Sequence, residues 1–504
     1  MKIKKVLLIS PPNYAFIISE VINFNINFPL GMAYIAAIAE QEGHDVKTID
    51  CVAEGWQTQF KLKDGRVRVG LSAEEIENRV KEHSPDIVGI SNLFLVQAEA
   101  ANEVADIVKK VSKKIITVIG GAQATSQPKE TLMCQNIDYV VMGEGEIIFK
   151  RLLQHLDNQK DIDEVPGIAY RLPNGDIKIN QRAAYITNLD SLPFPARHLF
   201  DMEKYFNQYN SHGTRKYPRY ASVNTSRGCP LKCTFCNVHD LSGRKYRYRS
   251  PENIIQELKL LKETYGVKEI LMEDDNLTAN RERARHLFQM MKDAKLDMEW
   301  DTPNGVAVFA LDNDLLDLMK SSGCYKINLA IESADQAVIK NIIKKTLNLE
   351  KAISLINHAK KIGLNVQSYF IVGLPGTTLE QMRKNFHFMR KYKMYESHTS
   401  IFVPYPGTEL YNVCLEKGYF APNFDLRYAT PAHCYLNTPE WKAKDVERLV
   451  EKEHFKNSIL FYLYNPSRIQ YALKKSTAIS FIKKLFHIAF PGNSQGSSKE
   501  FLRA

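Results

Sequence analysis

Short apolar runs alternate with longer amphipathic stretches in two separate blocks of this chain, and that alternation limits the fold more than any other feature. In the first block "KKVLLIS", "HDVKTID", "PDIVGIS", "KIITVIGG" and "YVVMGEG" read as buried strands. Between them "PLGMAYIAAIAEQEG", "AEEIENRVKEHS" and "QAEAANEVADIVKKVS" read as helices, the first ending at Gly43. Strands spaced by helices of this length form parallel βαβ units with right-handed crossovers, and so a doubly wound, Rossmann-like sheet. The second block runs from "YASVNTSRGC" to Gly407, with further strands expected at "EILMED", "EWDTPNG", "KINLAIE", "NVQSYFIVG" and "HTSIFVPY". Its helices are expected at "SPENIIQELKLLKETYG", "RERARHLFQMMKDAK", "NDLLDLMKSSG", "LNLEKAISLINHAKKIG" and "LEQMRKNFHFMRKY". Ser250 caps the first of these and Pro251 occupies its first turn. Six strands with intervening helices suit a partial (β/α) barrel, whose chemistry sits at the C-terminal strand ends.

The α/β chain therefore divides into a doubly wound domain at residues 1–150, a linker at 151–215, a partial barrel at 216–420 and a mostly helical region at 421–504. Within the linker, "GIAYRLPNGDIKIN" reads as a hairpin turning at Asn174-Gly175, and "LDSLPFPARHLF" as irregular. Lys and Arg exceed Asp and Glu by 67 to 57 over 504 residues, a net charge of +10 too diffuse to indicate nucleic acid. The apolar run from Val6 to Ser10 is too short for a signal peptide, and no run reaches the roughly 18 apolar residues of a membrane span. Eight cysteines in such a chain favour metal or redox chemistry over disulfides, and the expected compartment is the cytoplasm.

Three of those cysteines fall together in "CPLKCTFC", residues 229–236, where the first barrel strand ends. Three thiolates are one short of a closed site, and an open coordination place marks a metal centre that does chemistry. Zinc held by Cys229, Cys233, Cys236 and His239 is one reading, and three unrelated structural cysteines another. An electron-transfer cluster needs a fourth cysteine, and none follows before Cys324.

The C-x3-C-x2-C spacing, with Phe235 before the last cysteine, resembles the signature of the radical S-adenosylmethionine (radical SAM) superfamily. The resemblance implies a 4Fe–4S cluster on Cys229, Cys233 and Cys236, whose fourth iron is chelated by S-adenosylmethionine. In that family an external reductant of flavodoxin or ferredoxin type supplies one electron, and the cosubstrate yields methionine and a 5'-deoxyadenosyl radical. It also implies that Phe235 packs near the adenine, and that Asp274 and Asp275 of "EDDN" face the cosubstrate amine. Glu332 and Ser333 of "NLAIES" would meet ribose or methionine, and Gly373 of "FIVGLPG" would admit the adenine. "VPYPGTEL" resembles the sixth strand end.

In the first block Ser91-Asn92-Leu93 after one strand and Gly120-Gly121 after the next resemble the S-x-L and GG elements of cobalamin-binding domains. Ser91, Leu93, Gly120 and Gly121 would line the slot for the cofactor's nucleotide tail; "GEGE" from residue 143 adds little. The D-x-H-x-x-G loop of better-known cobalamin domains is replaced by "SPPNYAFIISEVINF", which has no histidine. A cobalt without a strong lower ligand suits methyl transfer to an unactivated carbon. Methylthiotransferases hold a second cluster on three N-terminal cysteines, whereas this chain has only Cys51 and Cys134 before residue 229.

The resemblance thus implies a cobalamin-dependent radical SAM C-methyltransferase acting on a small-molecule or lipid-like intermediate, without nucleic acid. An anaerobic oxidative cyclase, resembling the magnesium-protoporphyrin ester cyclases, is the rival within the same chemistry. A non-enzymatic corrinoid or redox sensor is the rival from another class. Near the C-terminus, "SILFYLYNPSRIQYALKKSTAISFIKKLFHIAFPG" carries Lys474, Lys475, Lys483 and Lys484 among apolar residues. It reads as a helix packed on the barrel, or as a basic amphipathic segment making peripheral membrane contact.

Overall fold

Val6, Leu7, Leu8 and Ile9 are all buried in the strand Lys5–Ser10. A strand covered on both faces belongs inside a sheet with helices on either side. The computed structural model describes residues 4–16, 26–157, 161–206, 215–422 and 424–464. Within it Lys5–Ser10 lies in a seven-stranded sheet ordered Ile177–Ile179, Ile168–Arg171, Tyr139–Val141, Ile116–Gly120, Ile87–Ser91, Lys5–Ser10, Asp45–Asp50. The first five strands in chain order pair in parallel. The chain leaves Lys5–Ser10 to one side for Asp45–Asp50 and returns to the other for Ile87–Ser91. That reversal opens a crevice at the carboxyl ends, where doubly wound sheets bind ligands.

The hairpin at Asn174-Gly175 forms, with Gly175 at φ +89°. It pairs antiparallel with Tyr139–Val141 and so extends the first sheet. A small antiparallel sheet of Asn13–Phe16, Arg66–Val69 and Gln59–Lys61 was not expected from the sequence. "RVRV" looks half-solvated, yet Arg66 and Arg68 are each 6% exposed. They are held inside by Glu99 and Glu103 of the helix Ala98–Val111.

Six parallel strands in chain order make the partial barrel: Tyr220–Val223, Glu269–Met272, Glu299–Asp301, Cys324–Glu332, Asn365–Val372 and His398–Ile401. Along the fourth, Ile327, Leu329 and Ile331 are fully buried apolar positions, and Lys326, Asn328 and Glu332 alternate with them. Successive side chains of a strand face opposite ways, so the barrel interior is polar where the helix-facing side is apolar. Lys326 meets that demand by pairing with Asp301 of the third strand. The five expected barrel helices are present as Pro251–Tyr265, Arg281–Asp293, Asn313–Ser321, Leu349–Lys361 and Leu379–Lys391. Ser250 does cap the first, accepting from Asn253 N at 3.2 Å.

After the barrel, the helix Ala443–Tyr464 packs on Leu379–Lys391 through Arg390, which meets Glu453 at 2.8 Å and Asn457 at 3.0 Å. The basic stretch with Lys474, Lys475, Lys483 and Lys484 lies outside the described residues. Among those described, no helix is long and apolar enough to cross a membrane.

Candidate functional site

The first barrel strand runs into a loop, residues 228–246, closed at its base by a two-residue antiparallel ribbon of Ser226–Arg227 and Arg247–Tyr248. All three clustered cysteines lie in this loop. Gly228 enters it at φ +84°, where an added Cβ would sit 2.5 Å from Lys245 O. No other residue makes that turn without moving the backbone. Cys229 N donates to Gly243 O at 3.2 Å and Cys236 N to Cys233 O at 3.2 Å, so the loop is folded on itself. Thr234, only 3% exposed, pins its middle. Its backbone N–H and hydroxyl donate to Ile343 O and Ile342 O, and its carbonyl accepts from Leu410 N at 3.1 Å.

Burial pushes the Cys233 thiol up to about 12, against the opposing charge of Lys345, and the Cys236 thiol up to about 11. Both carry protons until a metal displaces them. Among the described residues, no three His, Cys, Asp or Glu side chains gather around one point as a single ion requires. A cubane makes a different demand, offering a separate iron to each thiolate. His239, the fourth ligand of the zinc reading, has both ring nitrogens buried without a hydrogen-bond partner, and burial lowers its pKa.

The remaining strand ends surround this loop. Asp274, 1% exposed, accepts through Oδ1 from Thr225 N at 3.0 Å and from the Thr225 and Ser226 hydroxyls at 2.7 and 2.5 Å. Asp275 accepts from Gly228 N at 2.9 Å. Burial raises the pKa of both carboxyls. Asn276 donates to Cys229 Sγ at 3.7 Å. Asp274 Oδ2 and Asn276 Oδ1 are buried without a partner, so this strand end carries acceptors that fit a hydrogen-bonding ligand.

Glu332 ends the fourth strand at φ +67°, a left-handed conformation uncommon outside glycine. It accepts from Lys345 Nζ at 2.9 Å, and Lys345 also donates to Ala330 O at 2.6 Å. Burial works against the Lys345 charge, and the Glu332 carboxylate beside it favours the charged form. Ser333 is 3% exposed and accepts from Asp335 N at 3.1 Å. Gly373 follows the fifth strand at φ +76°, and Phe235 packs partly buried on the core. Thr234, Asn276 and Lys345 are additions to the residues singled out from sequence. For Asn276 the signal was present in "EDDN", but Lys345 sits beside a second lysine with nothing local to distinguish it.

At the crevice of the first sheet, Ser91 and Gly120 are direct neighbours across parallel strands, and Gly120 neighbours Val141. Leu93, two residues past the strand end, is 45% exposed. Gly121, at φ +122°, stands so close to Asn92 that an added Cβ would lie 2.2 Å from Asn92 O. By contrast a Cβ on Gly120 meets nothing nearer than Val141 at 3.6 Å. Asn92 is held by donating to Gln123 Oε1 at 2.8 Å, and its own Oδ1 is buried without a partner. The bare Gly120 backbone beside Ser91, with exposed Leu93 two residues further on, leaves room for a flat or extended tail beside the sheet.

Comparison with known proteins follows this division. Residues 24–153 match the B12 binding domain and residues 223–389 the radical SAM superfamily. The chain is 35% identical over 456 residues to cytidylyl-2-hydroxyethylphosphonate methyltransferase of Streptomyces wedmorensis, across 84% of this chain and 85% of the relative. It is 26% identical over 397 residues to the anaerobic magnesium-protoporphyrin IX monomethyl ester cyclase of Rubrivivax gelatinosus, across 77% of this chain and 66% of that one. The radical S-adenosylmethionine methyltransferase TsrM of Kitasatospora setae, solved with cobalamin and a 4Fe–4S cluster bound, shares the fold. The TM-score is 0.66 at 17% identity, over 89% of this chain and 82% of that one.

Proposed function

This chain belongs to the radical SAM superfamily and carries a B12-binding domain, and we propose that it transfers a methyl group to an unactivated carbon of a polar small molecule. Its cofactors are a 4Fe–4S cluster, S-adenosylmethionine and cobalamin. When bound, they supply a one-electron donor to the sulfonium, a carbon-centred radical and a methyl carrier. In this proposal Cys229, Cys233 and Cys236 hold the cluster. Thr234 and the Gly228 turn keep the loop in the shape that presents them. The unsatisfied Asp274 and Asn276 oxygens accept from the cosubstrate amine, and Glu332, Ser333, Gly373 and Phe235 border its nucleoside. Asp275, committed to Gly228 N, acts on the loop. Ser91, Leu93, Gly120 and Gly121 border the cobalamin tail. Residues 1–150 then form the cobalamin domain and 216–420 the barrel, and the hairpin between them completes the first sheet.

One observation carries the reading: Arg227, at the base of the three-thiol loop, is bonded to Glu144 and Glu146, which follow the strand that neighbours Gly120. The relative from Streptomyces wedmorensis is named for methylating a cytidylylated phosphonate, which favours a nucleotide-linked or phosphonate acceptor over a lipid. Support for a polar acceptor also comes from the barrel interior, where Asn328 alternates with apolar positions and Tyr369 stacks on His398 with ring centroids 5.4 Å apart. A flavodoxin- or ferredoxin-type donor completes the proposal, with acidic proteins of that kind suited to a net charge of +10 in the cytoplasm.

The experiment is anaerobic incubation of the reconstituted protein with methyl-deuterated S-adenosylmethionine, a low-potential reductant and a panel of nucleotide-linked phosphonates and lipids. Label in a polar acceptor supports the proposal. Label only in a lipid overturns the acceptor class. Acceptor oxidation or ring closure without label favours the cyclase reading that the Rubrivivax relative raises.

A further inference from the structure

At the base of the cysteine loop, Asp275 of the barrel lies near two arginines, but it is bonded to Gly228 N and the direct ion pairs to them come from elsewhere. These arginines, Arg227 and Arg247, are direct partners across the loop's two-residue ribbon, and their side chains are only 14% and 3% exposed. Like charges opposed across strands repel, and burial makes uncompensated charge far costlier. The compensation comes from the other domain, from the "GEGE" turn that follows the strand Tyr139–Val141. Glu144 accepts from Arg227 at 3.2 Å and from Arg247 at 2.8 Å, and Glu146 accepts from Arg227 at 2.5 Å. Both carboxylates are themselves buried, with 8% and 6% exposure. Burial opposes the Glu146 charge, but Arg227 outweighs it and keeps the carboxyl below its ordinary range.

The same turn is bound to the other cofactor site. Val141, two residues before the turn, is the strand neighbour of Gly120, and Gly143 N donates to Thr125 Oγ1 at 2.9 Å. Thr125 belongs to the short helix Ala122–Ser126 that begins just after Gly121. Two lateral ties complete the joint. Tyr185 donates to His239 O at 3.1 Å, and Arg182 to Asp240 O at 2.9 Å, both acceptors lying just beyond the third cysteine. Residues 141–146 thus run without a break from the wall of the glycine slot to the base of the cysteine loop.

We propose that Glu144 and Glu146 are positioning residues that clamp the cluster loop to the cobalamin domain, so that occupancy of the cobalamin slot stabilises the cluster. The proposal rests on the reading that Cys229, Cys233 and Cys236 hold the cluster and that the Gly120 crevice holds cobalamin. Ordering the Val141–Glu146 segment on one side fixes the two carboxylates that the arginine ribbon needs on the other. Coupling of this kind is reciprocal, so the assembled cluster also tightens cobalamin binding.

The test uses the full-length reconstituted protein and follows iron release to a ferrous chelator with and without hydroxocobalamin. In the wild type, cobalamin slows release by about fivefold or more, the lower end of ordinary coupling between sites. In Glu144→Gln/Glu146→Gln, release is faster and the same with or without cobalamin, although cobalamin still binds. Glu146→Asp, which keeps the charge, retains part of the protection. Equal protection in the double variant and the wild type overturns the clamp, and so does absence of protection in the wild type. If the double variant fails to fold, Glu146→Asp and Arg247→Lys are compared by hydrogen exchange across residues 228–246. Exchange there that responds to cobalamin as in the wild type overturns the proposal. Failure of the underlying site reading is distinguishable, because Cys233→Ala would then keep its iron.

Discussion

Gly120 and Gly121 are adjacent, and the structure assigns them opposite sensitivities. Gly121 has φ +122° and ψ −174°, a region that essentially only glycine occupies. Forcing alanine into it costs about 1–3 kcal/mol. The new Cβ would also lie 2.2 Å from Asn92 O, so two backbone segments must part, adding about 1–3 kcal/mol of overpacking. The sum, about 2–6 kcal/mol, is a large share of the roughly 5–15 kcal/mol that holds a domain together. Gly120→Ala meets only Val141 at 3.6 Å. It should be neutral, or gain about 0.4–1 kcal/mol from a stiffer unfolded chain. Thermal unfolding of the cofactor-free chain should therefore show the first domain's transition lowered by roughly 5–20 °C in Gly121→Ala and unmoved in Gly120→Ala. A third variant separates fold from slot. Gly120→Trp should keep the wild-type transition yet lose cobalamin absorbance after gel filtration, while iron content stays intact. Gly121→Ala unfolding like the wild type would refute the strain argument, and Gly120→Trp retaining cobalamin would refute the slot.

Replacing Cys229, Cys233 or Cys236 by Ala should take the protein from about four irons per cluster to near none, whereas Cys324, Cys414 and Cys434 should be dispensable; iron and sulfide analysis decides. Lys345→Met leaves Glu332 buried without its partner and should cost about 3–5 kcal/mol in denaturant unfolding. Adding Glu332→Gln should recover most of that loss, and strictly additive effects would contradict the pairing. Because Cys233 and Cys236 titrate near about 12 and about 11, each holds a proton at neutral pH and releases it on ligation. Acid then opposes assembly, and cluster yield should rise as pH goes from about 7 to about 9; a yield that falls over that range would refute the buried-thiol account.

The alternating halves of the chain were legible because burial writes a period into the sequence. Val6 to Ile9 and the run Ile327, Leu329, Ile331 announce strands whatever surrounds them. The cysteine loop was legible for a different reason, since three thiols within eight positions have few structural uses. The small sheet at Arg66–Val69 was hidden because buried arginines imitate a solvated face until their glutamates are in view. Lys345 was hidden beside Lys344, which pairs with an exposed Glu409; only the backbone turn between them sends one inward. The clamp was the least legible. Glu144 and Arg227 are 83 residues apart, and an ion pair between distant segments leaves no local pattern. "GEGE" therefore looked like a faint copy of a cofactor motif, although its carboxylates hold the arginine ribbon at the base of the cysteine loop.

The central claim is methyl transfer to an unactivated carbon, and counting products tests it most directly. A methyl carrier must be recharged by one S-adenosylmethionine, and an unactivated carbon must lose a hydrogen atom to a radical made from another. With the right acceptor, each methylated product should therefore appear with one S-adenosylhomocysteine and one 5'-deoxyadenosine, and carry the methyl-deuterium label. Substrate-dependent 5'-deoxyadenosine, with neither S-adenosylhomocysteine nor label in the product, would contradict the account.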